Sequence, residues 1–220
     1  GLGEASKYLN FPVVSGNVSF YNQTKDKGIK PTPSIGGVGL IKEYKEMITM
    51  GFKKTNNLVL VIGKTEGHLD QSIFARDILN EKNGPPPEIN LFNEKNNGET
   101  VLNLIKKNLV RTVHDISLGG IMTAIAKMCI KGKKGIKLKK PEYLINQFEY
   151  FFGEDQSRYI IEIENEDLKK VKEFLNKNSV HYDEIGILLD KELIIDNKSK
   201  VTIDELILNN NNWLNKFMSK

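Results

Sequence analysis

The run that most directly invites chemistry is Pro12-Val13-Val14-Ser15-Gly16-Asn17-Val18-Ser19-Phe20-Tyr21-Asn22, an apolar extended stretch that ends in small and amide-bearing residues. Gly16 admits positive φ and lets phosphate oxygens approach the main chain. Asn17 tolerates left-handed geometry and offers a neutral oxygen suited to a hard cation such as Mg²⁺. Ser19 lies two residues further on, on the same side of an extended segment, and adds a hydroxyl. The same residue types also build ordinary turns. The run by itself does not separate a phosphate-and-metal cradle from a loop.

A second candidate is His114-Asp115-Ile116-Ser117-Leu118-Gly119-Gly120. An aspartate at a strand end, followed by Gly-Gly and a helix, places a carboxylate beside a helix N-terminus, where Asp115 and Ser117 would hold a magnesium–phosphate group. Helix capping by the same atoms, with Ser117 as the cap, is the plainer reading. The third is Phe152-Gly153-Glu154-Asp155, whose adjacent carboxylates could serve acid–base work or a cation. A loop-fixing pair of Glu154 with Arg158 is the preferred alternative. His68, His114 and His181 are scattered and show no metal-ligand spacing. Cys129 is the only cysteine, which excludes an intramolecular disulfide and a Cys-based zinc site. It follows Ile125 and Met128 in an apolar helical run and is expected to pack as a small hydrophobe.

The elements that would position these residues follow from periodicity and breakers. Residues 1–9 have helical spacing. Pro12–Ser15 is expected to be extended, and Ser34–Ile41 a Gly-rich buried strand. Leu58–Ile62 is a fully apolar strand, Gly63–Gly67 a polar turn and Ser72–Leu79 a short helix. Asn83-Gly84-Pro85-Pro86-Pro87 is a stiff surface connector. Thr100–Leu109 has an amphipathic helix period. Val110–Val113 is read as a strand, the segment from Gly120 through Met128 as a helix, and Tyr143–Phe151 as helical. Arg158–Ile163 and Glu184–Leu189 are expected strands with the helix Glu166–Leu175 between them, and a hairpin turns near Asp190-Lys191. Two short helices, Asp204–Leu208 and Asn212–Phe217, close the chain. Strand–helix–strand units with hairpins predict a mixed fold, α/β (α+β), with a domain boundary that separates residues 1–53 from 54–220.

Bulk properties narrow the function classes. The 220 residues are 39% apolar, with a net charge of +4 from scattered lysines. No apolar run has the length of a membrane span, and no signal-peptide pattern opens the chain, so a cytoplasmic protein without membrane partners is expected. The basic stretch 131–140 has little aromatic interleaving, which argues against a nucleic-acid partner. The start, Gly1-Leu2-Gly3-Glu4-Ala5, has neither Met nor an N-cap and reads as the middle of a helix, as in a fragment.

Several stretches then occur in one order: Gly3-Glu4-Ala5, Pro12–Asn22, Ile29-Lys30-Pro31-Thr32-Pro33 and Gly37-Val38-Gly39-Leu40-Ile41. They continue as Gly63-Lys64-Thr65-Glu66-Gly67-His68-Leu69, Asn97-Gly98, Val113–Gly120, and Phe152-Gly153-Glu154 with Ser157-Arg158. Over residues 1 to 162 this series resembles the C-terminal part of the glutamine-dependent phosphoribosylformylglycinamidine synthase family in its shorter bacterial form, an AIR synthetase-like group. The resemblance implies the end of a second ATP-binding-type domain over 1–53 and an AIR synthetase C-terminal-like domain over 54–220. It implies that Gly16 contacts ATP, Asn17 binds Mg²⁺ and Ser19 contacts formylglycinamide ribonucleotide, with no catalytic residue in this part. Asp115 and Ser117 would form at most a secondary nucleotide or metal site, because Leu118 stands where the pattern favours an acidic residue. None of the three histidines inherits the family's catalytic one. The implied partners are the N-terminal half of the same polypeptide, a glutamine amidotransferase subunit and a small bridging subunit. The implied reaction makes formylglycinamidine ribonucleotide from ATP, the ribonucleotide and ammonia, and this part alone would be inactive. Rival readings are another ATP-using member of the superfamily, such as aminoimidazole ribonucleotide synthetase, selenophosphate synthetase or thiamine-monophosphate kinase, and a stand-alone binding module.

Overall fold

The computed structural model describes residues 1–142 and 146–219. The chain divides into two units, Gly1–Met47 and Ile48–Lys220.

The first unit carries little regular structure. Helix α1 (Leu2–Tyr8) is followed by a small antiparallel hairpin of β1 (Gln23–Thr24) and β2 (Lys27–Gly28), and a short 3₁₀ turn spans Tyr44–Glu46. The extended strand expected at Pro12–Ser15 does not form, nor does the buried strand expected at Ser34–Ile41. Val14, Val38 and Leu40 are each more than 90% exposed. No neighbouring strand in this unit pairs with these segments, so their exposed backbone groups are left to water and no ladder forms.

The second unit is built on a seven-stranded sheet. Its strands are β3 (Leu58–Ile62), β4 (Thr112–Asp115), β5 (Gly135–Leu138), β6 (Tyr159–Ile163), β7 (Tyr182–Leu189), β8 (Glu192–Ile195) and β9 (Ser199–Thr202), in the order β4-β6-β3-β7-β5-β8-β9. All neighbours are antiparallel except β5 and β8. β5 thus lies between β7 and β8, and the hairpin expected at Asp190-Lys191 is not one. The true hairpin joins β8 to β9 through Asp196 and Asn197, both at positive φ.

Helices cover both faces. Along β3, Val59 and Val61 point into one core with α3 (Gly120–Gly132), α4 (Gln147–Phe152) and the start of α6 (Ile203–Met218). Leu60 and Ile62 point into the other, with α2 (Leu91–Lys106) and α5 (Leu168–Lys177). The period of two in a strand buried on both sides explains its continuous apolar sequence. Each fully buried Leu or Ile contributes about 1.5–3 kcal/mol. Glu162, wholly buried in β6, accepts hydrogen bonds from Lys53 N (2.9 Å), Lys54 N (3.0 Å) and Asn57 Nδ2 (2.7 Å). It ties the segment leading into β3 to the sheet.

Several boundaries differ from expectation. Helix α2 begins nine residues before Thr100, because Asn90 caps it by accepting from Asn93 N (3.1 Å) even though its first turns carry few apolar residues. The two expected C-terminal helices are one, since the Asn209–Asn212 run continues the helix that the Thr202–Glu205 capping box starts. The turn before the Pro-rich connector is π-helical at Ala75–Leu79. The part of the expected helix at Tyr143–Ile145 lies outside the described residues, and α4 starts at an Asn146–Glu149 capping box.

Candidate functional site

In the first unit, Gly16, Asn17 and Ser19 lie in an exposed segment without regular structure. Ser19 Oγ donates to Tyr21 O at 3.5 Å, and Asn22 Nδ2 donates to Ser19 O. A Cβ on Gly16 would meet nothing within 4 Å, so no group of this unit demands glycine there. The three residues are accessible. Mg²⁺ takes oxygen ligands, keeps several waters and often binds through substrate phosphates. A single exposed amide oxygen fits that chemistry as one ligand of several.

Asp115 ends β4 with its side chain 65% exposed and Oδ1 3.1 Å from Nδ1 of His114. The Nε2 of His114 is buried without a hydrogen-bond partner. Ser117 does not cap α3. Its backbone carbonyl accepts from Gly120 N at 3.0 Å, while the N-cap is Gly119 in the left-handed region (φ +83°). The amide of Gly119 is satisfied by Glu154 Oε1 at 2.8 Å, which also accepts from Ile73 N at 2.8 Å. Among the described residues no three His, Cys, Asp or Glu side chains converge as a metal site.

The densest polar construction surrounds the loop after α4. Asp155 accepts from the consecutive amides of Glu66 (3.2 Å), Gly67 (3.0 Å) and His68 (3.0 Å). The guanidinium of Arg158, 2% exposed, donates to Asp155 O (3.1 Å), Thr65 Oγ1 (3.1 Å) and Gly153 O (2.7 Å). Its Nη1 lies 3.6 Å from Asp155 Oδ2. The ion pair is therefore Asp155–Arg158 and not the expected Glu154–Arg158, because Glu154 turns the other way, toward Ile73 and Gly119. Asn97, almost buried in α2, donates from Nδ2 to Ser157 O at 2.8 Å. A Cβ on Gly63 (φ +92°) would come within 2.5 Å of that same carbonyl.

Beside these groups lies a cleft of about 760 Å³ lined by Lys64, His68, Asn97, Asp155 and Ser157 together with Pro85–Pro87. His68 Nε2 is 3.0 Å from Pro85 O. Hydrogen bonding to Glu66 at 2.8 Å, reinforced by its charge, raises the pKa of Lys64, so the ammonium stays charged. Burial pushes the Cys129 thiol up to about 12, so it does not act as a nucleophile at neutral pH. The cleft brings together Lys64, Glu66–His68, Asn97 and Asp155–Ser157, stretches that the sequence distributes over nearly a hundred residues. Individual residue types did not single out Asn97 or Thr65; only the family-like order of the segments did.

Comparison with known proteins agrees with this architecture. A family model described as AIR synthase related protein, C-terminal domain, matches residues 54–196. The subunit PurL of phosphoribosylformylglycinamidine synthase from Pelagibacter ubique is 70% identical over 218 residues, 99% of this chain and 30% of that protein. The corresponding subunit from Bartonella henselae is 41% identical over 220 residues, 100% of this chain and 30% of the relative. The chain thus spans about 30% of the length of these curated relatives. Thermotoga maritima PurL complexed with FGAR has the same fold, with a TM-score of 0.63 at 17% identity over 74% of this chain and 30% of that one. The same protein complexed with ATP gives a TM-score of 0.58 at 15% identity, over 74% of this chain and 28% of the other. The mixed α/β sheet, the order of its matched segments and the family model together show that the chain belongs to the AIR synthase related proteins.

Proposed function

We propose that this chain is the C-terminal part of the ATP-dependent phosphoribosylformylglycinamidine synthase of purine biosynthesis, in its shorter bacterial form, and that it works in the cytoplasm. The observation that carries the reading is the 70% identity over 218 residues, which takes in both units and therefore the Gly16–Ser19 segment. The reading assigns residues 1–53 to the end of a second ATP-binding-type domain and 54–220 to the domain that follows.

The reaction joins ammonia to the amide carbon of formylglycinamide ribonucleotide. An amide oxygen is a poor leaving group. Its attack on the γ-phosphorus of ATP expels ADP and leaves an iminophosphate; ammonia then adds to the carbon and phosphate departs with the former amide oxygen. Little covalent work falls to the protein, so catalysis rests on alignment and charge neutralisation. Gly16 lets the nucleotide approach the main chain, Asn17 gives one oxygen to Mg²⁺, and Ser19 offers its hydroxyl to the ribonucleotide. Bound there, Mg²⁺ would neutralise charge on the phosphates. The strand end at Asp115 and Ser117 is at most a secondary nucleotide or metal site. The remaining groups belong to the N-terminal half of the polypeptide, and ammonia comes from a glutamine amidotransferase subunit joined through a small bridging subunit. The 220 residues alone are inactive on this reading.

Complementation tests it. The full-length gene should restore growth of a strain auxotrophic for purines through loss of this synthase, and the same gene carrying Asn17→Ala should not. Failure of the unaltered gene, despite stable expression with its partner subunits, would remove the reading.

A further inference from the structure

We propose that the amides of Glu66, Gly67 and His68 form an anion-binding cradle which the chain fills with its own Asp155 carboxylate, and that an oxyanion of the phosphate class enters when that carboxylate is removed. Three consecutive N–H groups rarely converge, because a regular backbone points them in different directions. They converge here because Gly67 takes φ +84°, the alternation of hand that builds an anion-binding concavity. Both carboxylate oxygens are engaged: Oδ2 accepts from Glu66 and Gly67, and Oδ1 from His68. The Arg158 guanidinium, with its side chain wholly buried, lies 3.6 Å from Oδ2 and adds positive charge beside the carboxylate that fills the cradle. Converging amides over a buried cation are what a phosphate oxygen needs, and such charge-assisted bonds are the strong ones.

The cradle is reachable. Gly67, His68 and Asp155 all line the cleft of about 760 Å³, together with the exposed ammonium of Lys64. Truncating Asp155 at Cβ removes the carboxyl group and opens the cradle to that cleft. Glu149 packs tightly on Gly67, its Cβ 2.8 Å from where a Gly67 Cβ would be, which limits how far the loop can shift. In the unaltered chain the carboxylate excludes outside anions from this loop. A phosphate-bearing ligand reaching this domain must then be held elsewhere. The assignment uses the second unit only and stands apart from the role given to Asn17.

The test is a titration of the 220-residue chain and its Asp155→Ala variant with inorganic phosphate against chloride of equal ionic strength, read by amide NMR and thermal unfolding. In the variant the Glu66, Gly67 and His68 resonances should move saturably. The melting midpoint should rise by about 3–6 °C at phosphate tenfold above half-saturation. In the unaltered chain the same three amides should stay still. If the variant is unfolded in chloride, phosphate should restore the native spectrum. Three silent amides in a folded variant, equal responses in both proteins, or an unfolded variant that phosphate does not rescue would each overturn the proposal.

Discussion

Leu58–Ile62 and Pro12–Ser15 are both short runs in which β-branched or large aliphatic residues invite a strand, yet they end in opposite states. The first pairs with β6 on one side and β7 on the other and is buried on both faces. The second pairs with nothing in its unit, and Val13 and Val14 are 74% and 92% exposed. Strand propensity expresses fit to a pleated, packed surface, so it is realised only where neighbours supply that surface. The two units differ in the same way. Residues 48–219 carry a core on each sheet face, whereas no residue of 1–47 is buried. The unit to which the proposed function assigns nucleotide and metal is thus the one without a buried core, and the unit with a core on each sheet face directs the polar contacts of Asp155 and Arg158 to holding its own loops.

That contrast can be broken by mutation. Arg158→Ala in the 220-residue chain should destabilise the second unit by about 3–5 kcal/mol, because it leaves Asp155 and three acceptors without their buried donor. Urea unfolding followed by circular dichroism reads that loss. Leu104→Ala, in the α2 core, should remove about 2–5 kcal/mol in the same assay. Val14→Ala should change it by no more than about 0.5 kcal/mol, since the residue packs on nothing in its unit. A large effect of Val14→Ala would abolish the distinction between the units.

Two titrations sharpen it on a finer scale. The Cys129 thiol, pushed up to about 12 by burial, should resist a maleimide at neutral pH and react only as the second unit unfolds. With its folded value above the unfolded one, it contributes stability below the thiol's ordinary range, and that contribution fades as pH rises toward about 12. The smallest effect belongs to Glu205. Hydrogen bonds from the Thr202 hydroxyl and amide hold its carboxyl below the usual range. A depressed folded value means the capping box supports α6 above the ordinary carboxylate range and loses that support as pH falls through the depressed value. Faster amide exchange at the start of α6 in acid, with little change in α3, is the expected outcome.

Local signals in the sequence carried part of this structure. Leu58–Ile62, Glu184–Leu189 and the amphipathic Glu166–Leu175 were legible because their apolar periods are clean. The insertion of β5 between β7 and β8 was not, since a nonlocal pairing leaves no mark on the turn at Asp190-Lys191. The two expected helices Asp204–Leu208 and Asn212–Phe217 are one, because the capping box upstream starts a helix that runs through the asparagines although asparagine is a weak helix former. At Glu154-Asp155 the adjacent acids were visible, but the direction each would face depends on how the backbone leaves α4. Asp155 faces Arg158, while Glu154 accepts from the amides of Ile73 and Gly119. Gly16, Asn17 and Ser19 drew attention through residue type and family resemblance together, while the geometry of their own unit adds only that they are accessible.

The most direct test is the rate of formylglycinamidine ribonucleotide synthesis by the full-length enzyme carrying Asn17→Ala, assayed with ammonia, ATP and excess Mg²⁺ after its melting midpoint is matched to the unaltered enzyme. Loss of one transition-state ligand should lower the rate by at least about 100-fold at an unchanged midpoint. A rate close to that of the unaltered enzyme would contradict the placement of the metal and nucleotide at this segment.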